Sequence, residues 1–282
     1  MSALGGKAAG GEGMNWQGTA IGLVIVIISL GIAAFFNSAY QVDLLIPLFG
    51  IIIGGSLIGF GVHFVPVGGA PAAMGQAPGI ATGVAMLAAG AGLAGLFAGA
   101  WAYSVTGDFI IAIFSGAVGG GMMMSITCLM VNLTYIFAMG VPAASGKIDK
   151  DPITGYTFPE YKSQGTEGHG LPFISYVGGV IGGLIAGLGG TLIYVKLLDV
   201  YTAGLSMMFE ASTEAITPLA VSLAGVLAIG FFLINAVLSA YNITGTIEGP
   251  HDPKFKRVPR AIVGCAVASA FCGLISILIV AL

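Results

Sequence analysis

Along most of this chain polar residues are missing rather than periodic. Seven stretches, at about 17–36, 44–62, 79–103, 109–139, 171–198, 215–241 and 258–282, are apolar on every side and carry no charged residue at their centres. A bilayer core of ~30 Å takes roughly 20 residues of helix, so each stretch predicts a transmembrane helix. A helix apolar all round lies within lipid or a large core. The fourth stretch, at 31 residues, is long for an upright span and is expected to tilt, or to break near Gly119-Gly120-Gly121. The first could be read as a signal peptide. Its apolar run is long, only Lys7 precedes it and no clear cleavage site follows, so it is read as a helix.

Basic residues orient these spans. With the N-terminus in the cytoplasm, Lys7, Lys147, Lys150, Lys162, Lys254, Lys256, Arg257 and Arg260 fall inside, and only Lys196 falls outside. The outer turns then hold Asp43, Asp108, Asp199, Glu210 and Glu214. That is the bias of the positive-inside rule, and removing one internal helix would scatter it. The expectation is an all-α integral membrane protein of about seven transmembrane helices, N-terminus cytoplasmic. An N-terminal extension, 1–43, holds one helix, and a six-helix core, 44–282, has cytoplasmic loops at 63–78, 140–170 and 242–259. All three histidines, His63, His169 and His251, fall in those loops.

Composition narrows the class. Charged residues make up 7% of the 282 and hydrophobic residues 57%, with mean hydropathy +1.01, so the chain cannot cover a water-facing surface. A soluble enzyme and a nucleic-acid reader are excluded. There are 47 glycines, about one residue in six, without a collagen period. They recur as GxxxG, at Gly18/Gly22, Gly50/Gly54, Gly55/Gly59, Gly79/Gly83, Gly95/Gly99, Gly116/Gly120, Gly178/Gly182 and Gly183/Gly187. Residues four apart share a helix face and let two backbones approach. This predicts tight packing, either within the chain alone or also against other subunits. Cys128, Cys265 and Cys272 lie in apolar runs and read as small core residues.

Chemistry is sparse. Residues 90–95, GAGLAG, fit the dinucleotide fingerprint by letter, but they lie mid-span with no strand before them. No catalytic, cofactor-binding or metal-ligating constellation is present in the sequence. A charge at mid-bilayer costs ~3 kcal/mol, and none sits at a span centre. The buried polar candidates are neutral: Thr127, Asn132, Thr134, Asn235 and Ser239. Such groups either hydrogen-bond to a neighbouring helix or line a weak cation path. After the second span, His63, Pro66, Gly68, Gly69 and Pro71 mark an apolar stretch that cannot be regular helix. It is expected to be re-entrant or covered by another subunit; an ordinary surface loop is the alternative.

Three blocks carry a resemblance: GVHFVPVGGAPAAM at 61–74, DPITG at 151–155 with SQGTEGHGLP at 163–172, and YNITGTIEGPHDPKF at 241–255. They resemble the D subunit family of the membrane-bound tetrahydromethanopterin S-methyltransferase complex of methanogenic archaea. The likeness runs from about Leu44 to the C-terminus. It implies a multi-pass subunit of a cell-membrane complex in methanogenesis. That complex moves a methyl group from methyl-tetrahydromethanopterin, or its sarcinapterin variant, to coenzyme M. It does so through a corrinoid on another subunit and couples the transfer to sodium export. Partners implied are the C and E membrane subunits, the corrinoid subunit and membrane lipids, with no nucleic acid. This chain would bind no cofactor and would serve ion translocation and assembly rather than methyl chemistry. Asn132, Asn235, Glu167, His169 and Glu248 are the candidate ion-path or coupling residues. The two acids either line a cytoplasmic vestibule or cap helices and pair with Lys254 or Arg257. His63, Pro66, Gly68, Gly69 and Pro71 are candidates for docking. The rival readings are a free-standing secondary transporter and a purely structural scaffold.

Overall fold

The computed structural model describes residues 14–40, 42–65, 77–137, 150–157, 161–163, 166–168, 173–242 and 253–280. Within these lie seven long helices: α1 (Trp16–Tyr40), α2 (Leu45–Val62), α3 (Ala77–Thr106), α4 (Phe109–Phe137), α5 (Phe173–Met208), α6 (Thr213–Asn242) and α7 (Val258–Leu278). Stretches of α1, α2, α4, α5, α6 and α7 are long and apolar enough to cross a membrane; on α3 the side chains are described only from Gly90 onward. A 3-10 turn, Pro253–Arg257, leads into α7. The described residues are all-α apart from one small ribbon, β1 (Tyr161–Ser163) paired antiparallel with β2 (Thr166–Gly168).

Successive helices alternate in direction. His63, Phe173, Asn242 and Val258 therefore gather at one end, called here the loop end, and the short connections gather at the opposite turn end. Helix α5 is central and packs against α2, α3, α4 and α6, while α1 lies outermost, mainly against α7. Large apolar side chains such as Ile27, Phe35, Phe97, Trp101, Phe114 and Val226 are each more than half exposed. Such an outer surface suits lipid or neighbouring chains and not water.

The helix junctions at the turn end follow from a few residues. Gly107 takes a left-handed φ of +66° that ends α3, and Asp108 Oδ1 then accepts the Ile110 and Ile111 N–H groups at 2.7 and 3.0 Å to cap α4. Asn37 Oδ1, from α1, accepts the N–H of Leu44 at 2.6 Å and of Leu45 at 3.2 Å, which caps α2 and ties the N-terminal extension to the core.

Glycine sets the helix crossings. A Cβ on Gly183 of α5 would stand 2.5 Å from the carbonyl oxygen of Gly120 on α4, and one on Gly189 would stand 2.5 Å from that of Gly54 on α2. At the loop end of the same α2/α5 contact, a Cβ on Gly61 would meet the Gly182 carbonyl at 2.7 Å. The GxxxG pairs 116/120 and 183/187 thus face each other within one chain. Thr191 adds a buried hydrogen bond from its Oγ1 to the Gly95 carbonyl at 3.3 Å, joining α5 to α3.

Several boundaries differ from expectation. Helix α4 runs unbroken through Gly119-Gly120-Gly121, because those glycines are held between α3 and α5 and do not lie open to water. Helix α5 does not stop at Leu198 but continues ten residues to Met208, so Asp199 is helical and not in a turn. On this continuation Asp199 pairs with Lys196 at 3.6 Å, one turn back, and accepts the Tyr103 hydroxyl at 3.1 Å. The Lys196 ammonium also lies 4.8 Å from the Phe109 ring centroid. The loop expected at 242–259 is helical from Pro253 onward, and helix α3 already begins at Ala77. The stretch expected to be re-entrant falls largely on 66–76, outside the described residues.

Candidate functional site

Five buried polar side chains, His63, Asn235, Ser239, Asn242 and Ser269, collect along one seam between α2, α6 and α7. Asn235, Ser239 and Asn242 are spaced i, i+4, i+7 and so form one stripe of α6. Cys265 and Ser269 form the matching stripe of α7. Helix α2 presents Gly55 and Gly59 to them, then His63 one turn on. A Cβ on Gly55 would collide with Ser269 Oγ and come 2.8 Å from Asn235 Nδ2; one on Gly59 would lie 2.5 Å from Cys265 Sγ. Bare glycine on α2 is therefore what leaves room for polar side chains on the other two helices. His63, Asn235, Ser239 and Ser269 are fully buried, and Asn242 is 7% exposed.

Buried polar groups in an apolar bundle must find partners within it. Here they do. Asn235 Nδ2 donates to the Phe231 carbonyl at 2.8 Å and to Ser269 Oγ at 3.0 Å, while Ser269 Oγ lies 3.3 Å from Asn235 Oδ1 and can donate to it. Ser239 Oγ meets Cys265 Sγ at 3.4 Å, and that thiol reaches the Asn235 carbonyl at 3.6 Å. From Asn235 to Asn242 the seam runs ~10 Å along the axis, at ~1.5 Å per residue.

At the loop end the seam closes in a clasp. His63 Nδ1 lies 2.7 Å from the Gly59 carbonyl and must carry the proton to bond it, which leaves Nε2 to accept from Asn242 Nδ2 at 3.0 Å. Asn242 Nδ2 also donates to the Arg257 carbonyl at 2.8 Å, and its Oδ1 accepts from Arg260 Nε at 2.8 Å. One asparagine thus links the ends of three helices.

A second arrangement anchors the loop before α5. In DPITG, Asp151 Oδ1 accepts the N–H groups of Ile153 at 2.8 Å and Thr154 at 3.4 Å, and Gly155 takes a φ of +72°. Asp151 Oδ2 accepts the N–H of Phe173, the first residue of α5, from 22 positions away. The carboxylate caps a helix that is remote in sequence. Its side chain is fully covered. Burial by itself would raise its pKa, but the backbone N–H bonds from Ile153, Phe173 and Thr154 outweigh that and hold it below the usual carboxylate value.

The expected site residues are dispersed. His63 and Asn235 stand at the two ends of the seam. Asn132 is on α4, its side chain outside the described residues, and Glu167 is on β2 with its Cα opposite Lys162. His169, Glu248, Pro66, Gly68, Gly69 and Pro71 lie outside the described residues. Among the described residues no group of three or more His, Cys, Asp or Glu could hold a metal ion. Asn242, Arg260, Ser269 and Asp151 were not among the expected residues. The heptad-like spacing of 235/239/242 and 265/269 was the available signal for Asn242 and Ser269; nothing local marks a cap that acts 22 residues away.

The family model for the tetrahydromethanopterin S-methyltransferase D subunit matches residues 44–269 of this chain. That span starts at the residue preceding α2 and includes every residue of the seam. The D subunit of that enzyme from Methanosarcina mazei is 49% identical over 234 residues, covering 82% of this chain and 92% of the relative. The one from Methanothermobacter marburgensis is 49% identical over 239 residues, 84% and 97% of the two chains. The one from Methanocaldococcus jannaschii is 42% identical over 243 residues, 85% and 98%.

Proposed function

Because the chain belongs to the family of tetrahydromethanopterin S-methyltransferase D subunits, we propose that it is a multi-pass membrane subunit of that complex, with seven spans and a cytoplasmic N-terminus. In this reading the complex transfers a methyl group from methyl-tetrahydromethanopterin, or its sarcinapterin variant, to coenzyme M through a corrinoid held by another subunit, and exports sodium. This chain contributes to ion translocation and assembly beside the C and E membrane subunits and does not carry the methyl chemistry. The observation that carries the proposal is the family match over 44–269, which takes in the α2/α6/α7 seam and its loop-end clasp.

The seam gives the role a physical form. Asn235 is a neutral oxygen ligand deep in the bundle, but in the described conformation its amide is spent on Ser269 and the Phe231 carbonyl. It would serve a cation only after α7 moves relative to α6. The loop-end clasp through His63 and Asn242 is where movement of a docked corrinoid subunit would enter, with loop 63–78, including Pro66, Gly68, Gly69 and Pro71, as the docking element. Glu167 on β2, together with His169 and Glu248, is proposed to couple to that entrance, and Asn132 lies on α4.

The test is purification of the tagged chain from native membranes, with identification of bound subunits and a cobalt assay. Co-purification of a cobalt-bearing subunit with other membrane chains is the expected result. A lone chain or a cobalt-free homo-oligomer would overturn it. Methyl-transfer-driven sodium uptake by the reconstituted complex then tests the ion role. Uptake that stays fully coupled in an Asn235→Leu complex would remove Asn235 from it.

A further inference from the structure

A groove of about 550 Å³ runs between α1, α6 and α7, outside the seam and open along one side. Its loop-end mouth is polar, formed by Asn15, Gly18, Thr19 and Arg260. Its body is apolar, formed by Ile21, Ile25, Leu238, Val263 and Val267 with Gly264. No acidic residue is among the described residues that line it. Arg260 uses only Nε within the described chain, donating to Asn242, so the rest of its planar fork is available at the mouth. One turn earlier, Arg257 Nε is buried with no hydrogen-bond partner among the described residues. The N-termini of α1 and α7 both end here, and each adds the positive end of a helix dipole.

We propose that this groove is a binding site for a single membrane lipid with an anionic phosphate headgroup. One hydrocarbon chain lies along α1 from Thr19 to Ile25, and the phosphate is held at the Arg260 guanidinium and the Asn15 amide. The gradient from a cationic mouth to an apolar body over ~15 Å, ten residues of helix, matches the gradient along such a lipid. One wall of the site, α1, precedes the span matched by the family model, whereas the walls from α6 and α7 lie within it.

Two variants test it. Arg260→Gln keeps a donor for Asn242 and removes the charge. Gly264→Phe fills the groove from a position where an added Cβ meets nothing within 4 Å. The full chain, in its complex, is purified in mild detergent, stripped of lipid and titrated with phosphatidylglycerol, phosphatidylcholine or inorganic phosphate, with bound molecules counted by native mass spectrometry. The wild-type protein is expected to hold one phosphatidylglycerol about fivefold more tightly than phosphatidylcholine, the preference one basic residue supplies. It is expected to hold no inorganic phosphate. Arg260→Gln should equalise the two lipids, and Gly264→Phe should lose both. Should Arg260→Gln fail to fold, Gly264→Phe alone decides. Retention of the wild-type lipid by Gly264→Phe would overturn the proposal. So would equal affinity of the wild-type protein for the two lipids, binding of phosphate alone, or a cysteine at Thr19 that cross-links to another protein in native membranes.

Discussion

Replacing Gly120 by alanine adds one carbon atom where the bundle has no room. The new Cβ would fall against the carbonyl oxygen of Gly183 on α5, with the Cα of Gly187 at 3.1 Å. Both neighbours are backbone of one helix, so no side-chain rotation relieves the contact and α4 must move away from α5. Forcing extra volume into a packed interface costs typically ~1–3 kcal/mol. Here the separation also loosens the neighbouring Gly116–Gly187 approach, so the upper half of that range applies. Alanine returns ~1 kcal/mol of helix propensity. The net loss is therefore ~1–2 kcal/mol, or a melting temperature lower by roughly 5 °C for a chain of this size. Gly225→Ala is the matched control, because its Cβ would meet nothing within 4 Å and only the propensity gain remains. Both variants are heated in mild detergent, and the surviving monodisperse fraction is read by size-exclusion chromatography. If Gly120→Ala survives as well as Gly225→Ala, backbone contact through glycine is not what holds α4 to α5.

Asp151 should give a pH-dependent anchor. Its carboxyl is held below the ordinary 3.8, so the stabilisation is fully present above that value and is lost as pH falls through the lower folded-state pKa. Asp151→Asn should expose Lys162 to trypsin severalfold faster at neutral pH, and unchanged cleavage would refute the cap. Asn242→Leu leaves His63, Arg260 and the Arg257 carbonyl without their shared partner, and should cost ~2 kcal/mol in thermal unfolding; a loss below ~0.5 kcal/mol would mean the clasp is replaced by water. Lys196→Met keeps the stem that packs over Gly50 and removes a half-exposed ion pair with Asp199, so it should change stability by less than ~1 kcal/mol. A larger loss by the same melting assay would show that the ammonium is structural.

The spans were legible because a helix in lipid must be apolar on every face, and runs of uncharged residues locate it without any periodicity. Their ends were less so. Met208 rather than Leu198 ends α5, because hydropathy reports where lipid should stop and not where backbone hydrogen bonding does. The GxxxG pairs pointed to close packing, but which faces meet is a three-dimensional fact: Gly116 and Gly120 are matched to Gly183 and Gly187 more than sixty residues on. The site fared similarly. Asn235 and His63 stand out as polar residues in or beside apolar runs, but their partners do not. Ser269 is 34 positions from Asn235, and Asn242 is 179 from His63.

The contacts of the bundle are of two physical kinds, and they limit where it can move. Between α2 and α5 an added Cβ would meet a carbonyl oxygen at 2.5–2.7 Å, and between α4 and α5 at 2.5 Å from Gly183 and closer still from Gly120 and Gly187, so a sliding step meets hard repulsion at once. Between α6 and α7 the contact is made by Asn235, Ser239, Cys265 and Ser269, short side chains each with donor and acceptor capacity. A shift of α7 would break these side-chain hydrogen bonds, at a cost on the order of 1 kcal/mol each. The clasp of Asn242 on His63, Arg260 and the Arg257 carbonyl sits at the loop end of that same contact. A displacement imposed on the loops therefore reaches α7 before it reaches the glycine-locked core. Coupling of the proposed kind would thus be carried by α6 and α7 moving over a fixed frame of α2, α4 and α5. A Ser239→Cys variant cross-linked to Cys265 should freeze such a motion and leave the fold intact, whereas a bridge across α4 and α5 should change nothing.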